Sequence, residues 1–179
     1  SQETAIGDLV ANVILAAAQK ADKTVVATLT NSSNLKTSIK AGAVTEEDLL
    51  AVLPSFGNTL VLLDVTGLVL VKALDHGLSQ GGGKTPGAFP MVAGMQVTYC
   101  QTVTSCTERL DKGGVVTSLT VGGNKVDLNK TYRIATNDFL ASFGGESYSM
   151  LGDACKQSSY CKNTGIQVVD LLTEEFKTH

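Results

Sequence analysis

The sequence predicts an α+β fold, a single domain in which a mixed β-sheet is flanked by helices. Three observations support this prediction. At 179 residues and 43% hydrophobic content, the chain is long and apolar enough to bury one sizeable core. Helical and β-branched segments alternate along it without a regular βαβ repeat. Because no internal repeat or long linker divides the sequence, we expect one domain over residues 1–179.

The first half of the chain predicts helices and strands in alternation. Apolar residues between Ile6 and Ala17 recur at helical spacing, whereas Thr24–Thr30 is a β-branched run. Thr45–Asp48 resembles a capping box, Pro54 ends the helix that follows, and Thr66 caps another. The predicted elements are a helix over residues 3–20, a strand over 24–30, a helix over 46–53, a strand over 59–65 and a helix over 66–78.

The second half is richer in strands. Residues 80–90 are rich in Gly and Pro and are predicted to form a loop. Ile166, Val169, Leu172 and Phe176 fall at helical spacing and predict a closing helix. The predicted elements are strands over 96–100, 115–121 and 131–136, a turn over 122–124 and a helix over 164–176.

The four cysteines form two close pairs, Cys100 with Cys106 and Cys155 with Cys161. Each pair encloses a short polar segment, so we expect two local disulfides and an oxidising compartment. Free thiols are an alternative. A zinc site is another, although CxxC spacing is missing and no histidine lies near either pair.

Charge and hydropathy exclude two classes of partner. The net charge is −3 and the 14 basic residues are scattered, so the positive stripe that nucleic acid requires is missing. The most apolar stretch, Leu60–Leu74, is too short and too interrupted to span a bilayer. Ser1 opens directly onto a helical pattern, so we expect a mature or excised piece whose targeting segment lies outside this sequence.

Two short loops predict a nucleoside site. Leu53–Asn58 and the segment from Asn137 to Tyr148 each place a phenylalanine beside glycine, and the second adds the carboxylate of Glu146. Aromatic faces stack on a base, and a carboxylate accepts hydrogen bonds from ribose hydroxyls. The alternative is that both rings are core residues, because Phe is usually buried.

The chain offers no complete catalytic apparatus. His76 and His179 are the only histidines, and the clustered carboxylates fall at helix ends, where they are typically solvated. A Ser-His-Asp triad would have to use His76, which lies late in an apolar helix and is more typical of a helix cap. An independent hydrolase built on His76 is therefore a third hypothesis, and we predict no catalytic residue in this chain.

Several stretches match known motifs in order and almost end to end. The matching stretches are Glu3–Leu9 with E-x-x-x-G-D/N-L, Asn31–Lys36 with N-x-G-G-I/L-R, Leu53–Asn58 with L-P-F-G-N, Leu74–Gly77 with L-E-H-G, Phe89–Gly94 with F-P-Q-V-S-G, and Thr131–Tyr148 with T-Y-x-I/V-A-x-N-D/F-F-L-A-x-G-G-D-G-Y/F. Together they resemble the C-terminal domain of the 5'-nucleotidase family.

The resemblance implies a substrate-binding role for five residues. Phe56 and Phe139 would sandwich the base, and Glu146, at the family's Asp position, would receive the ribose hydroxyls. Asn31 would contact the substrate, and Lys36, at the family's Arg position, would hold phosphate. The ligand would be a nucleoside monophosphate or a related nucleotide.

The resemblance also implies what lies outside this chain. The family couples this domain to an N-terminal metallophosphoesterase domain with two divalent metal ions, so no cofactor is expected within residues 1–179. It implies a secreted, cell-surface or periplasmic enzyme that hydrolyses nucleotides to nucleoside and phosphate. Lys36, Glu146 and the residues inserted at Ser55 and Phe143 depart from the motifs, and several motif glycines are replaced, one of them by Ser147. Lys36 and the lost glycines motivate the second hypothesis, a diverged binding or structural domain with a lost or changed ligand.

Overall fold

A computed structural model describes residues 4–35, 45–52, 57–80 and 85–178. Its helices are α1 Ala5–Ala21, α2 Glu46–Val52, α3 Gly67–Gln80, α4 Asp138–Ala141, α5 Ser149–Gln157 and α6 Val168–Thr178. Its strands are β1 Val25–Asn31, β2 Thr59–Thr66, β3 Pro90–Ala93, β4 Met95–Tyr99, β5 Val116–Val121, β6 Asn124–Lys125, β7 Thr131–Asn137 and β8 Cys161–Gln167. Short 3₁₀ turns include Ser32–Asn34, Pro86–Ala88 and Gly145–Ser147.

A mixed five-stranded sheet organises the fold. Its strand order is β3-β1-β7-β2-β8, in which β1 and β7 are parallel and the other pairs are antiparallel. Strands β4, β5 and β6 form a separate antiparallel sheet. The predicted α+β domain with a mixed sheet and flanking helices is confirmed.

Both faces of the main sheet are buried. On one face Leu60 and Leu62 of β2 pack with apolar residues of α1, α2 and α6. On the other face Leu63 and Val65 pack with residues of α3, α5 and β5. Alternate residues of one strand therefore enter opposite halves of the core, which is what the period of two in a strand dictates. No helix within the described ranges is long and apolar enough to cross a bilayer.

The helix caps predicted at Thr45–Asp48 and at Thr66 are both present, whereas the cap of α1 was not predicted. Thr4 caps α1 by accepting from the Gly7 N–H at 3.2 Å. Thr45 and Asp48 form the predicted capping box, since each side chain accepts from the backbone N–H of the other. Thr66 accepts from the Val69 N–H at 3.3 Å at the start of α3.

The predicted closing helix over 164–176 was wrong at its start. Residues 164–167 belong to strand β8, and α6 begins only at Val168. Edge pairing with β2 decides the conformation here, since Thr164 Oγ1 donates to the Leu60 carbonyl at 2.9 Å and Gly165 adopts a positive φ of 74°. Strand β3 and helices α4 and α5 were missed, and Pro90 begins a strand instead of ending a loop.

Both predicted disulfides are present. Cys100 is bonded to Cys106 and Cys155 to Cys161, with Cα–Cα distances of 5.6 and 5.2 Å. The first closes the loop after β4. The second joins the end of α5 to the start of β8, so it fixes where the edge strand begins.

A charged network lies at the end of the sheet where β1 and β7 begin. The Arg133 guanidinium donates to both carboxylate oxygens of Asp64, at 2.7 and 2.9 Å, and to Asp22 at 2.9 Å. Its Cζ lies 3.6 Å from the centre of the Tyr160 ring. Hydrogen bonds from Thr24, and then from Arg133, lower the pKa of Asp22 to about 2. The network ties strands β2 and β7 to the segment before β1.

Asp75 of α3 connects that helix to the second sheet. Its Oδ1 accepts the backbone N–H groups of Val115 and Val116, both at 2.7 Å, while Oδ2 is buried without a hydrogen-bond partner. Gly114 makes room for the carboxyl, because an added Cβ would overlap it. Burial raises the pKa of the Asp75 carboxyl above its ordinary value.

We expect Asp75 to make folding stability depend on pH. Because the folded state holds the Asp75 proton more tightly than the unfolded chain does, its contribution is largest at low pH. It declines as pH rises above the unfolded pKa of about 3.9. Urea unfolding of the wild type and of Asp75→Asn over this range measures the effect. The free-energy difference, wild type minus variant, should fall with rising pH. A difference that is constant or that grows with pH would contradict the assignment.

Candidate functional site

The candidate site lies at the sheet end where the parallel strands β1 and β7 finish. Asn31 is the last residue of β1 and Asn137 the last of β7. β2 is antiparallel to β7 and begins at the same end, where the Thr59 N–H donates to Asp138 Oδ1 at 3.0 Å. The carboxyl ends of parallel strands are a common place for ligands in open sheets, because the connecting loops diverge there.

Asn137 joins the two strand ends and starts the next helix. Its Nδ2 donates to Thr30 Oγ1 at 2.8 Å and to Asn31 Oδ1 at 3.0 Å. Its Oδ1 accepts from the Leu140 N–H at 2.9 Å, so the same amide caps α4. With all these groups buried, the position of the loop after β7 is fixed by hydrogen bonds to β1.

The Asn31 side chain connects the ends of β1 and β7 to a third segment, the turn at Pro86–Ala88. Its side chain is fully buried, and Nδ2 donates to Ser33 Oγ at 2.5 Å and to the Gly87 carbonyl at 3.3 Å. An added Cβ on Gly87 would lie 2.7 Å from Ser33 Cβ and 2.8 Å from Glu146 Oε1. The turns at Ser32–Asn34, Pro86–Ala88 and Gly145–Ser147 therefore meet at Gly87.

The turn that carries Glu146 has an unusual backbone. Gly144, Glu146 and Ser147 all have positive φ, of 61°, 52° and 62°. For a residue with a Cβ, the left-handed region costs about 1–2 kcal/mol. Such outliers persist where surrounding contacts force them, and they cluster at ligand sites.

Two side chains, those of His76 and Tyr148, support the turn that carries Glu146. His76 Nε2 lies 2.7 Å from the Glu146 carbonyl oxygen, and because a carbonyl only accepts, Nε2 carries the proton. Tyr148 is fully buried, donates to the Ala88 carbonyl at 2.6 Å and packs edge-on against His76 with ring centres 4.9 Å apart. Burial raises the pKa of the Tyr148 hydroxyl, so Tyr148 is a neutral donor at physiological pH.

Phe139 and Phe143, both in the segment from Asn137 to Tyr148, have different environments. Phe139 is half-buried against the core, and three of its ring atoms lie where a Cβ on Gly145 would stand. Phe143 is 78% exposed. The Phe139 ring is therefore fixed beside the Glu146 turn, whereas the Phe143 ring is open to solvent.

The structure brings three of the five predicted site residues together. Asn31 and Glu146 meet at Gly87, and Phe139 joins them through Gly145. Lys36 and Phe56 lie outside the described residues. Sequence reasoning missed Gly87 and Asn137, although an Asn-Asp pair directly after a β-branched strand is a recognisable helix cap.

A cleft of about 920 Å³ adjoins this cluster. It shares Ser33 and Gly87 with the site, and its remaining wall is mostly apolar, including Phe89, Met91 and Tyr99. Neither Phe139 nor Glu146 is among the residues that line it. Gly87 therefore adjoins both the cleft and the Glu146 turn. Within residues 4–35, 45–52, 57–80 and 85–178, no three His, Cys, Asp or Glu side chains converge on a possible metal site.

The chain is similar to proteins named as nucleotide phosphoesterases. It is 35% identical over 184 residues to the trifunctional nucleotide phosphoesterase protein YfkN of Bacillus subtilis, covering 99% of this chain and 11% of that protein. It is 31% identical over 140 residues to the NAD 5'-nucleotidase of Haemophilus influenzae, covering 77% of this chain and 23% of that protein. The chain thus spans a small part of these relatives.

Solved structures and a family model agree with these relatives. The crystal structure of a 5'-nucleotidase precursor from Thermus thermophilus aligns with a TM-score of 0.81 at 28% identity, over 98% of this chain and 32% of that one. The NAD nucleotidase of Haemophilus influenzae shares the fold with a TM-score of 0.79. The family model described as "5'-nucleotidase, C-terminal domain" matches residues 1–153. The chain therefore belongs to the 5'-nucleotidase family and corresponds to its C-terminal domain.

Proposed function

We propose that this domain binds the nucleoside part of a nucleotide for an enzyme that hydrolyses nucleoside monophosphates or related nucleotides to nucleoside and phosphate. The observation that carries the proposal is the meeting of Phe139, Glu146 and the Asn31 loop at one end of the sheet. An aromatic face, a carboxylate and close backbone turns are the groups that a base and a ribose require.

Each site residue has a proposed part. The base stacks between Phe139 and Phe56, and the Glu146 carboxylate accepts hydrogen bonds from the ribose hydroxyls. Lys36 contributes a positive charge toward phosphate, as a point charge without the two-pronged geometry of arginine. Asn31 fixes the Ser32–Asn34 turn against Gly87, because its buried amide is already hydrogen-bonded. Direct contact of Asn31 with the ligand stays a prediction.

The reactive centre is proposed to lie in another part of the full-length protein. A metallophosphoesterase domain with two divalent metal ions would supply an activated water and would stabilise the developing charge on phosphorus. This chain's part is to orient the nucleotide and to lower the entropic cost of bringing it to that centre. We therefore expect the isolated domain to bind without hydrolysing.

A secreted, cell-surface or periplasmic location completes the proposal. Both disulfides close short loops, as is typical of oxidising compartments. Relatives include the "Snake venom 5'-nucleotidase" of Naja atra, 34% identical over 120 residues. Venom is a secreted fluid, so the name of this relative supports the proposed location.

Calorimetric titration of the 179-residue chain with adenosine and AMP tests binding. We expect saturable heats from both ligands, because base and ribose provide most of the contacts in this domain. The control ligand is ribose 5-phosphate, which lacks the base and should bind far more weakly. A flat titration at millimolar adenosine, with circular dichroism showing folded protein, would overturn the proposed function.

A diverged domain with a lost or changed ligand is the second candidate. It is favoured by serine at position 147, which takes a left-handed conformation that glycine adopts without strain. Under this candidate, Phe56→Ala and Phe139→Ala would leave nucleotide hydrolysis by the full-length protein unchanged. A raised KM in either variant would exclude it.

A further inference from the structure

We infer that His76 is a positioning residue that aims the Glu146 carboxylate at the ribose hydroxyls. The inference rests on the proposed function. His76 lies on α3, 70 positions away from Glu146 in sequence, and its Nε2–H donates to the Glu146 carbonyl at 2.7 Å. It thus holds the backbone of the residue whose side chain is proposed to bind the ligand.

The Glu146 backbone needs such support. Glu146 and Ser147 are the only described residues other than glycine with positive φ, so this turn is a strained point in the described chain. Left alone, both residues would favour the ordinary right-handed or extended regions. A flip of the peptide plane after Glu146 would turn its carbonyl away from the His76 ring, so the hydrogen bond favours the observed conformation.

The backbone conformation sets the direction of the side chain. With φ at 52° and ψ at 28°, Glu146 projects its carboxylate toward Gly87, with Oε1 2.8 Å from where a Gly87 Cβ would stand. In a right-handed conformation the Cβ would point elsewhere, and the carboxylate would leave the Asn31 and Phe139 cluster. His76 therefore controls the position of the carboxylate through the main chain.

His76 is itself held in place. Its ring packs edge-on against Tyr148, which is anchored to the Ala88 carbonyl at 2.6 Å. Gly77, the next residue on α3, leaves room for the Tyr148 hydroxyl. One assembly thus links α3, the Pro86–Ala88 turn and the Glu146 turn. This arrangement accounts for His76 as a support of the Glu146 backbone and does not require it to act as a catalytic base.

Ligand selectivity tests the inference. The His76→Phe variant keeps an aromatic ring against Tyr148 but removes the Nε2–H donor. The His76→Gln variant keeps an N–H donor near the position of Nε2. Each is titrated with adenosine and with 2′,3′-dideoxyadenosine, which lacks the 2′ and 3′ hydroxyls that Glu146 is proposed to bind. We expect His76→Phe to weaken adenosine binding about 2- to 10-fold, as for the loss of one hydrogen bond. Dideoxyadenosine affinity should be unchanged, and His76→Gln should restore most of the adenosine affinity.

The outcomes separate this inference from the proposed function. If the wild type does not bind adenosine, the proposed function fails and the inference fails with it. If the wild type prefers adenosine over dideoxyadenosine and His76→Phe keeps that preference, the inference alone is overturned. An equal loss for both ligands also overturns it, since it would indicate a general effect on the fold, which the unfolding midpoint would register.

Discussion

Adenosine should bind the Phe139→Leu variant about 5- to 150-fold more weakly than the wild type, the range that follows from 1–3 kcal/mol of stacking per base. Leucine retains apolar volume, which matters because Phe139 also packs against the core. It removes the flat face on which a base would stack. Calorimetric titration of folded protein gives the change in Kd directly.

Phe143→Leu is the matched control. It makes the same chemical change in the same loop, at a ring that is 78% exposed. If the base stacks on Phe139, the Kd of Phe143→Leu should stay within about twofold of the wild type. A large loss at Phe143 with none at Phe139 would contradict the proposal and would assign stacking to the exposed ring.

The Gly77→Ala variant should lose about 2–3 kcal/mol of unfolding free energy. An added Cβ would lie within 3 Å of the Tyr148 hydroxyl, the Ala88 carbonyl and the Pro90 ring. Overpacking of this kind costs about 1–3 kcal/mol, and displacing Tyr148 also breaks a buried hydrogen bond. The gain in helix propensity offsets only about 1 kcal/mol. Urea unfolding followed by circular dichroism measures the difference.

Gly152→Ala provides the comparison for Gly77→Ala. Gly152 is also a buried helical glycine, but a Cβ there would meet its nearest atoms at 3.6 Å, an ordinary contact distance. We expect this variant to gain up to about 1 kcal/mol. Equal effects at the two glycines would show that crowding at Tyr148 is not the cause. A double variant with Tyr148→Phe should recover part of the loss, because the closest overlapping atom is removed.

Local signals predicted much of the fold. Helix α1 and strands β1, β2 and β7 have strong periodicity and clear caps, and their predicted limits agree with the structure to within one or two residues. The start of α6 was predicted wrongly because Ile166 fits a helical spacing, while pairing with β2 makes it part of a strand. Helix α5 was missed because its short sequence contains Gly152 and few apolar residues.

The site was harder to predict because its contacts join distant parts of the chain. The motifs identified Asn31, Phe139 and Glu146, and the structure brings these three together. The roles of Gly87 and His76 depend on partners 56 and 70 positions away, which no local pattern encodes. Residues 80–90 were predicted as a loop, and their composition gave no sign that Gly87 is a meeting point of three turns.

The Arg133 network lies at the opposite end of the strands from Asn31 and Asn137. The Arg133 ion pairs and the proposed binding loops are therefore spatially separate in this domain. If the loops after β1 and β7 bind the ligand as proposed, substitutions at Asp22, Asp64 or Tyr160 should change the melting temperature without changing ligand affinity. Thermal stability could then be adjusted at this end of the sheet outside the usual trade-off between stability and activity.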